Sequence, residues 1–150
     1  MNNPIEILPN IWYGTVKDAF NGNFIKSFHI KYLVNISNTS QFPDIDHLNL
    51  DIQFINIKVK CHDDKNYRKN LNHLKKIYPK FEQLCINSLN NNHNILLFDS
   101  CYDCAPLLLM LFCKKHLKLE NDVLVRLFQS FHSKFFEKGI YFDTLLDEIN

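Results

Sequence analysis

A short polar run between two apolar segments holds the side chains best placed for chemistry. Residues 95–98 are continuously apolar, residues 106–113 are apolar again, and two carboxylates and two thiols lie between them. The first segment is typical of a buried strand and the second of a buried helix. Free N–H groups and roughly half a positive charge at a helix N-terminus bind anions and lower the pKa of a thiol. The run therefore predicts an anion site or a thiol site.

The run comprises Asp99, Ser100, Cys101, Tyr102, Asp103, Cys104 and Ala105. Its Cys101-x-x-Cys104 spacing is typical of a redox pair and of half a zinc site. Zinc needs two more ligands, and the chain has no second CxxC pair and no HxxxH pair, so Cys61, His62 and Cys113 would have to approach in space. We favour leftover loop thiols, with no metal and no cofactor, over the zinc and redox interpretations.

Asp99 after an apolar strand also suggests an aspartyl-phosphate nucleophile of the kind used by magnesium-dependent phosphatases. That chemistry resembles a D-x-D pattern, whereas residue 101 is Cys and Asp103 is displaced by two positions. The sequence disfavours this interpretation.

The surrounding pattern predicts an α/β sheet with helices on both faces. Strands are expected at residues 7–8, 11–13, 32–36, 54–59 and 95–98. Asp18 is expected to cap a first helix, whose apolar face would be Phe20, Phe24, Ile25 and Phe28. Further helices are expected over residues 70–89, 106–117, 121–131 and 141–149. Pro79 should kink or break the helix predicted over residues 70–89.

Composition narrows the class of protein. The chain has 150 residues, 46% hydrophobic and 22% charged, which fits one globular domain spanning residues 1–150. A net charge of +1 gives no field that attracts nucleic acid or an anionic membrane, and no apolar run reaches the ~20 residues of a membrane span. Five Cys without framework spacing favour a reducing compartment, so we expect a cytoplasmic or nuclear protein.

The order of these segments resembles the dual-specificity family of cysteine-based protein phosphatases. In that family an apolar strand leads into His-Cys, five residues and Arg, and an apolar helix follows. Further matching segments lie at residues 7–14 with 18–19, 30–37, 54–59 and 140–146. The resemblance covers nearly the whole chain and implies a three-layer fold with a mostly parallel sheet of about five strands flanked by helices.

The resemblance fails at the signature itself. The nucleophilic Cys, its His neighbour, the loop glycine and the phosphate-binding Arg are replaced by Asp99, Phe98, Tyr102 and Ala105, respectively. Counting from Cys101 or Cys104 instead gives Leu107 or Met110 where Arg is required. A carboxylate at residue 99 would repel a phosphate dianion by roughly 4 kcal/mol at 4 Å and an effective dielectric of 20. We expect Asp99 to accept the loop N–H bonds itself, as a built-in anion.

The general acid of the family is also displaced. The resemblance puts it after the strand at residues 54–59, in the segment Cys61, His62, Asp63 and Asp64. The ungapped position is Cys61, and only a short insertion would restore Asp63. A metal site at these residues is less favoured than an exposed polar loop.

These departures lead to two hypotheses of different class. The first is a pseudophosphatase, not an enzyme, that binds a protein partner such as a phosphatase substrate or a phosphatase; self-association is left open. In that hypothesis residues 99–105 and 61–64 are vestigial loops. The alternative is a residual or altered phosphatase, or a thiol-redox enzyme, that uses Cys101 or Cys104. A misaligned loop in an unrelated α/β module is a third possibility.

Overall fold

The computed structural model describes residues 4–36, 51–57, 67–99 and 104–131. Five strands are present in these ranges: β1 (Ile5–Leu8), β2 (Ile11–Thr15), β3 (Ile30–Asn35), β4 (Gln53–Asn56) and β5 (Asn94–Asp99). The helices are α1 (Val16–Ala19), α2 (Gly22–Ser27), α3 (Tyr67–Asn91), α4 (Cys104–Leu117) and α5 (Asn121–Phe131). The segments predicted at residues 140–149 lie outside the described residues.

The strands form one mostly parallel sheet in the order β1-β2-β5-β3-β4. Only the β1–β2 pair is antiparallel, and β5 lies in the centre between β2 and β3. The four apolar residues 95–98 have no exposed surface, which explains why this strand is an unbroken apolar run. The predicted fold class is confirmed.

Alternate residues of β5 face two separate apolar clusters. Ile95 and Leu97 pack with α3, α4 and α5, whereas Leu96 and Phe98 pack with α1 and α2. This alternation is the period of two that a strand imposes, and it produces the three layers. Residues 105–113 of α4 are all buried, so that helix lies inside the molecule and covers the sheet.

Two predictions about the first helices are wrong. Asp18 is not the residue that begins a helix: Thr15 caps α1, and the Asp18 carboxylate accepts the Thr15 N–H at 2.8 Å to complete a capping box. Phe20 and Phe28 do not face the core, because 49% and 44% of their surfaces are exposed. Ile25 is the buried residue of α2.

Pro79 neither ends nor divides α3, which is continuous over 25 residues. The proline lies on the exposed side of the helix, where water can pair the carbonyl that loses its N–H partner. Within the described ranges, none of the helices combines the length and the apolar character needed to cross a membrane.

Gly14→Ala should lower the free energy of unfolding by about 1–3 kcal/mol. A Cβ at residue 14 would lie 2.8 Å from an Asp18 carboxylate oxygen, and the capping box would have to shift. The matched control is Gly22→Ala in the first turn of α2, where φ is negative and Ala is tolerated. Urea unfolding of both variants measures the effect, and equal stability of Gly14→Ala and the wild type would contradict the explanation.

Candidate active site

The central strand ends directly beneath the N-terminus of the buried helix. Asp99 is the last residue of β5, and α4 begins five residues later at Cys104. The Asp99 side chain is only 1% exposed. A buried carboxylate needs hydrogen-bond donors, because moving an ion out of water into a protein interior costs on the order of several kcal/mol.

Two donors meet the two oxygens of this carboxylate. Oδ2 accepts the backbone N–H of Ala105 at 2.9 Å, and Oδ1 accepts the hydroxyl of Tyr13 at 2.6 Å. Ala105 is the second residue of α4, so its N–H has no acceptor inside the helix. The carboxylate therefore satisfies the helix end in the way that a bound anion would.

Strand register brings the hydroxyl of Tyr13 to Asp99. Thr15 pairs with Asp99 and Tyr13 with Leu97 in the parallel β2–β5 ladder, so residues 13 and 99 lie on the same face of the sheet. The Tyr13 ring has no exposed surface. Sequence reasoning missed this residue as part of the site, and the only signal for it was an aromatic side chain with a hydroxyl group in a predicted short strand.

Of the other predicted loop residues, only Cys104 and Ala105 lie within the described ranges. Ser100, Cys101, Tyr102 and Asp103 lie outside the described residues, and Cys104 is described only as the first residue of α4. The structure brings Asp99 and Ala105 into contact.

The predicted general-acid segment is likewise not covered. Cys61, His62, Asp63 and Asp64 all lie outside the described residues, so their vestigial role stays a prediction.

Two other thiols lie in the core rather than near the loop. Cys85 on α3 and Cys113 on α4 are free and buried. Burial raises the pKa of Cys113 to about 11, and burial together with the neighbouring Cys113 raises the pKa of Cys85 further. Both thiols are therefore protonated at neutral pH and unreactive. Across the described ranges, no three His, Cys, Asp or Glu side chains lie close enough to hold a metal ion.

The sheet order and the strand-to-helix junction define the dual-specificity phosphatase fold, and solved structures match it. The human tyrosine phosphatase-like serine/threonine/tyrosine-interacting protein is 13% identical with a TM-score of 0.77, over 97% of this chain and 93% of that one. Human DUSP28 is 13% identical with a TM-score of 0.69, over 97% and 91%. The predicted resemblance is confirmed at the level of the fold.

A curated protein matches part of the sequence. Human dual specificity protein phosphatase 9 is 25% identical over 93 residues, which is 62% of this chain and 22% of that protein. The match thus spans less than a quarter of the relative's length. No protein-family model matches the chain.

The prediction that this chain is not an enzyme is wrong. It was drawn from Asp99 and Ala105 in place of the nucleophilic Cys and the Arg, but several of the matching structures are named as phosphatases. The two replaced residues argue only against the family mechanism, in which a Cys at position 99 attacks phosphorus and an Arg at position 105 binds the phosphoryl oxygens. They do not address catalysis by other side chains. We therefore do not assign loss of activity to this chain.

Tyr13→Phe should lower the free energy of unfolding by about 1.5–3 kcal/mol, the range for a hydrogen bond to a charged group. The variant leaves Oδ1 of buried Asp99 without the hydroxyl of Tyr13. Tyr32→Phe on β3 is the matched control, since the described residues show no hydrogen bond from that hydroxyl. Urea unfolding of the two variants checks the prediction, and an equal small loss in both would show that the contact contributes little.

Native protein treated with iodoacetamide at pH 7.5 should carry no label on Cys85 or Cys113, because both thiols are buried and protonated. Peptide mass spectrometry identifies the labelled positions, and the same reaction in guanidinium should label both cysteines. Labelling of either in the native protein at the rate of a free thiol would mean that the core opens there.

Proposed function

We propose that this chain is a protein-binding domain on a dual-specificity phosphatase fold, and that it recognises a protein surface rather than a phosphoryl group. The observation that carries the proposal is the position of the Asp99 carboxylate. It is buried at the N-terminus of α4 and accepts the Ala105 N–H that an incoming anion would need.

Electrostatics favours this form of recognition. A phosphoryl group at the same helix end would lie beside the Asp99 charge, and two unit charges at 4 Å repel by about 4 kcal/mol at an effective dielectric of 20. Since about 1.4 kcal/mol is a factor of ten, this repulsion would weaken phosphate binding by roughly a thousandfold. Partner binding is then expected to use surfaces outside the loop.

One structural relative agrees with a role in binding. The human protein whose structure matches with a TM-score of 0.77 is named as a tyrosine phosphatase-like, serine/threonine/tyrosine-interacting protein. By analogy we propose that the partner of this chain is a phosphatase substrate or a phosphatase, met in the cytoplasm or nucleus. Competition with active phosphatases for a shared partner is the expected consequence.

An altered enzyme is the second candidate, and the position of Cys104 favours it. This residue opens α4, and the N-terminus of a helix lowers the pKa of a thiol placed there. Hydrolysis of an aryl phosphate that disappears in Cys104→Ser, or in Cys101→Ser, would support this candidate. Hydrolysis that is unchanged in both variants would exclude these thiols as nucleophiles.

The test of the first proposal asks whether partner binding needs phosphate. The tagged full chain is expressed in its native cells, and recovered proteins are compared between an untreated lysate and one treated with an active broad-specificity phosphatase. We expect the same partner in equal amounts from both lysates, and also with Asp99→Asn. Loss of the partner after treatment would show phosphate recognition, and no partner above the tag-only control would contradict a binding function.

A further inference from the structure

The outer side of α5 carries two exposed apolar side chains. Leu124 and Phe128 anchor the inner side of this helix in the core, where neither has any exposed surface. Val123 and Leu127 point away from that core and are 39% and 38% exposed. They are four residues apart, so they lie next to each other in one row along the helix surface.

The neighbouring row of the same helix carries one charge of each sign. Nη2 of Arg126 lies 3.2 Å from a carboxylate oxygen of Asp122, and the two side chains are 73% and 74% exposed. Nε of Arg126 also donates to the backbone carbonyl of Asp122 at 3.3 Å. An ion pair this exposed contributes little to stability, so either charge can change its partner at small cost.

The two rows are complementary to a second copy of themselves. In an antiparallel pair of identical helices related by a two-fold axis, each row meets the same row of the other copy, with its residue order reversed. An axis close to residue 124 places Asp122 of each copy beside Arg126 of the other. An axis close to residue 125 places Val123 of each copy beside Leu127 of the other. The two positions differ by one residue, about 1.5 Å of helix rise, which these side chains can span.

The nearest other acid does not oppose this pairing. Glu120 is exposed and directly precedes α5, so it lies four to five residues from the two-fold axis. The two copies of Glu120 would then be separated by roughly 13 Å along the helix axes. That separation exceeds the Debye length of ~8 Å at physiological ionic strength, so their repulsion is largely screened.

We propose that α5 is a self-association surface, on which two copies of this chain pair antiparallel about a two-fold axis. One helix side is smaller than the ~1,200 Å² of a stable interface, so the dimer is weak, with a Kd of about 10 µM to about 1 mM. This inference does not rest on the proposed function, because the partner is the chain itself and each can hold without the other.

Sedimentation equilibrium of the full chain tests the dimer and its apolar contact. We expect the average mass of the wild type to rise toward that of two chains as its concentration increases to about 1 mM. Leu127→Ser should weaken the dimer at least fivefold. Phe28→Ser is the matched control, since Phe28 is 44% exposed on the other layer of the molecule, and its Kd should equal that of the wild type.

Charge variants test the pairing between copies. Asp122→Arg brings two Arg side chains together in its own dimer, and Arg126→Asp brings two Asp side chains together, so each variant alone should associate at least fivefold more weakly than the wild type. An equal mixture of the two variants restores opposite charges at both contacts. The mixed dimer should therefore form at least tenfold more tightly than either variant with itself. Circular dichroism confirms that each variant is folded.

Three results would overturn the proposal. The first is a wild-type chain that stays monomeric at about 1 mM. The second is a dimer that Leu127→Ser weakens no more than Phe28→Ser does. The third is a mixture of the two charge variants that associates no more tightly than each variant alone, because an effect of the Asp122–Arg126 pair within one chain would not be repaired by mixing.

Discussion

The contact between the Asp99 carboxylate and the N-terminus of α4 is the constraint around which the site is arranged. Asp99 is only 1% exposed, so both oxygens of its carboxylate need hydrogen-bond donors. The Ala105 backbone N–H supplies one donor and the Tyr13 hydroxyl supplies another. The first comes from the next helix along the chain and the second from the neighbouring strand. Helix, strand and carboxylate therefore hold one another in position.

This arrangement is possible because successive side chains of β5 point to opposite faces of the sheet. Residues 95, 97 and 99 face the layer of α3, α4 and α5, so the same strand buries apolar side chains and then ends with a carboxylate under the helix that covers them. Residues 96 and 98 support the opposite layer, on which Trp12, Phe24 and Phe28 lie. The junction and these three rings are thus on opposite faces of one sheet.

The parts of the fold that could be predicted from sequence are those with unbroken local patterns. The apolar runs at residues 95–98 and 106–113 fixed the central strand and buried helix, and the anion-binding property of a helix end was enough to predict that Asp99 accepts an N–H there. Tyr13 could not be predicted as its partner, because that contact depends on the register of strands 86 residues apart. The choice between Thr15 and Asp18 as the cap, and the exposure of Phe28, also depended on packing rather than on spacing. Absence of enzyme activity was a wrong conclusion from two replaced residues.

Calorimetric titration with tungstate, a tetrahedral oxyanion similar in shape to phosphate, tests directly whether Asp99 occupies the anion site. The comparison uses the wild type, Asp99→Ser, which removes both charge and volume, and Asp99→Asn, which removes the charge alone; circular dichroism confirms folding. We predict that Asp99→Ser binds tungstate at least a hundredfold more tightly than the wild type, with Asp99→Asn between them. Equal tungstate affinity of the wild type and Asp99→Ser would contradict the account, because the helix end would then be open to an anion with the carboxylate in place.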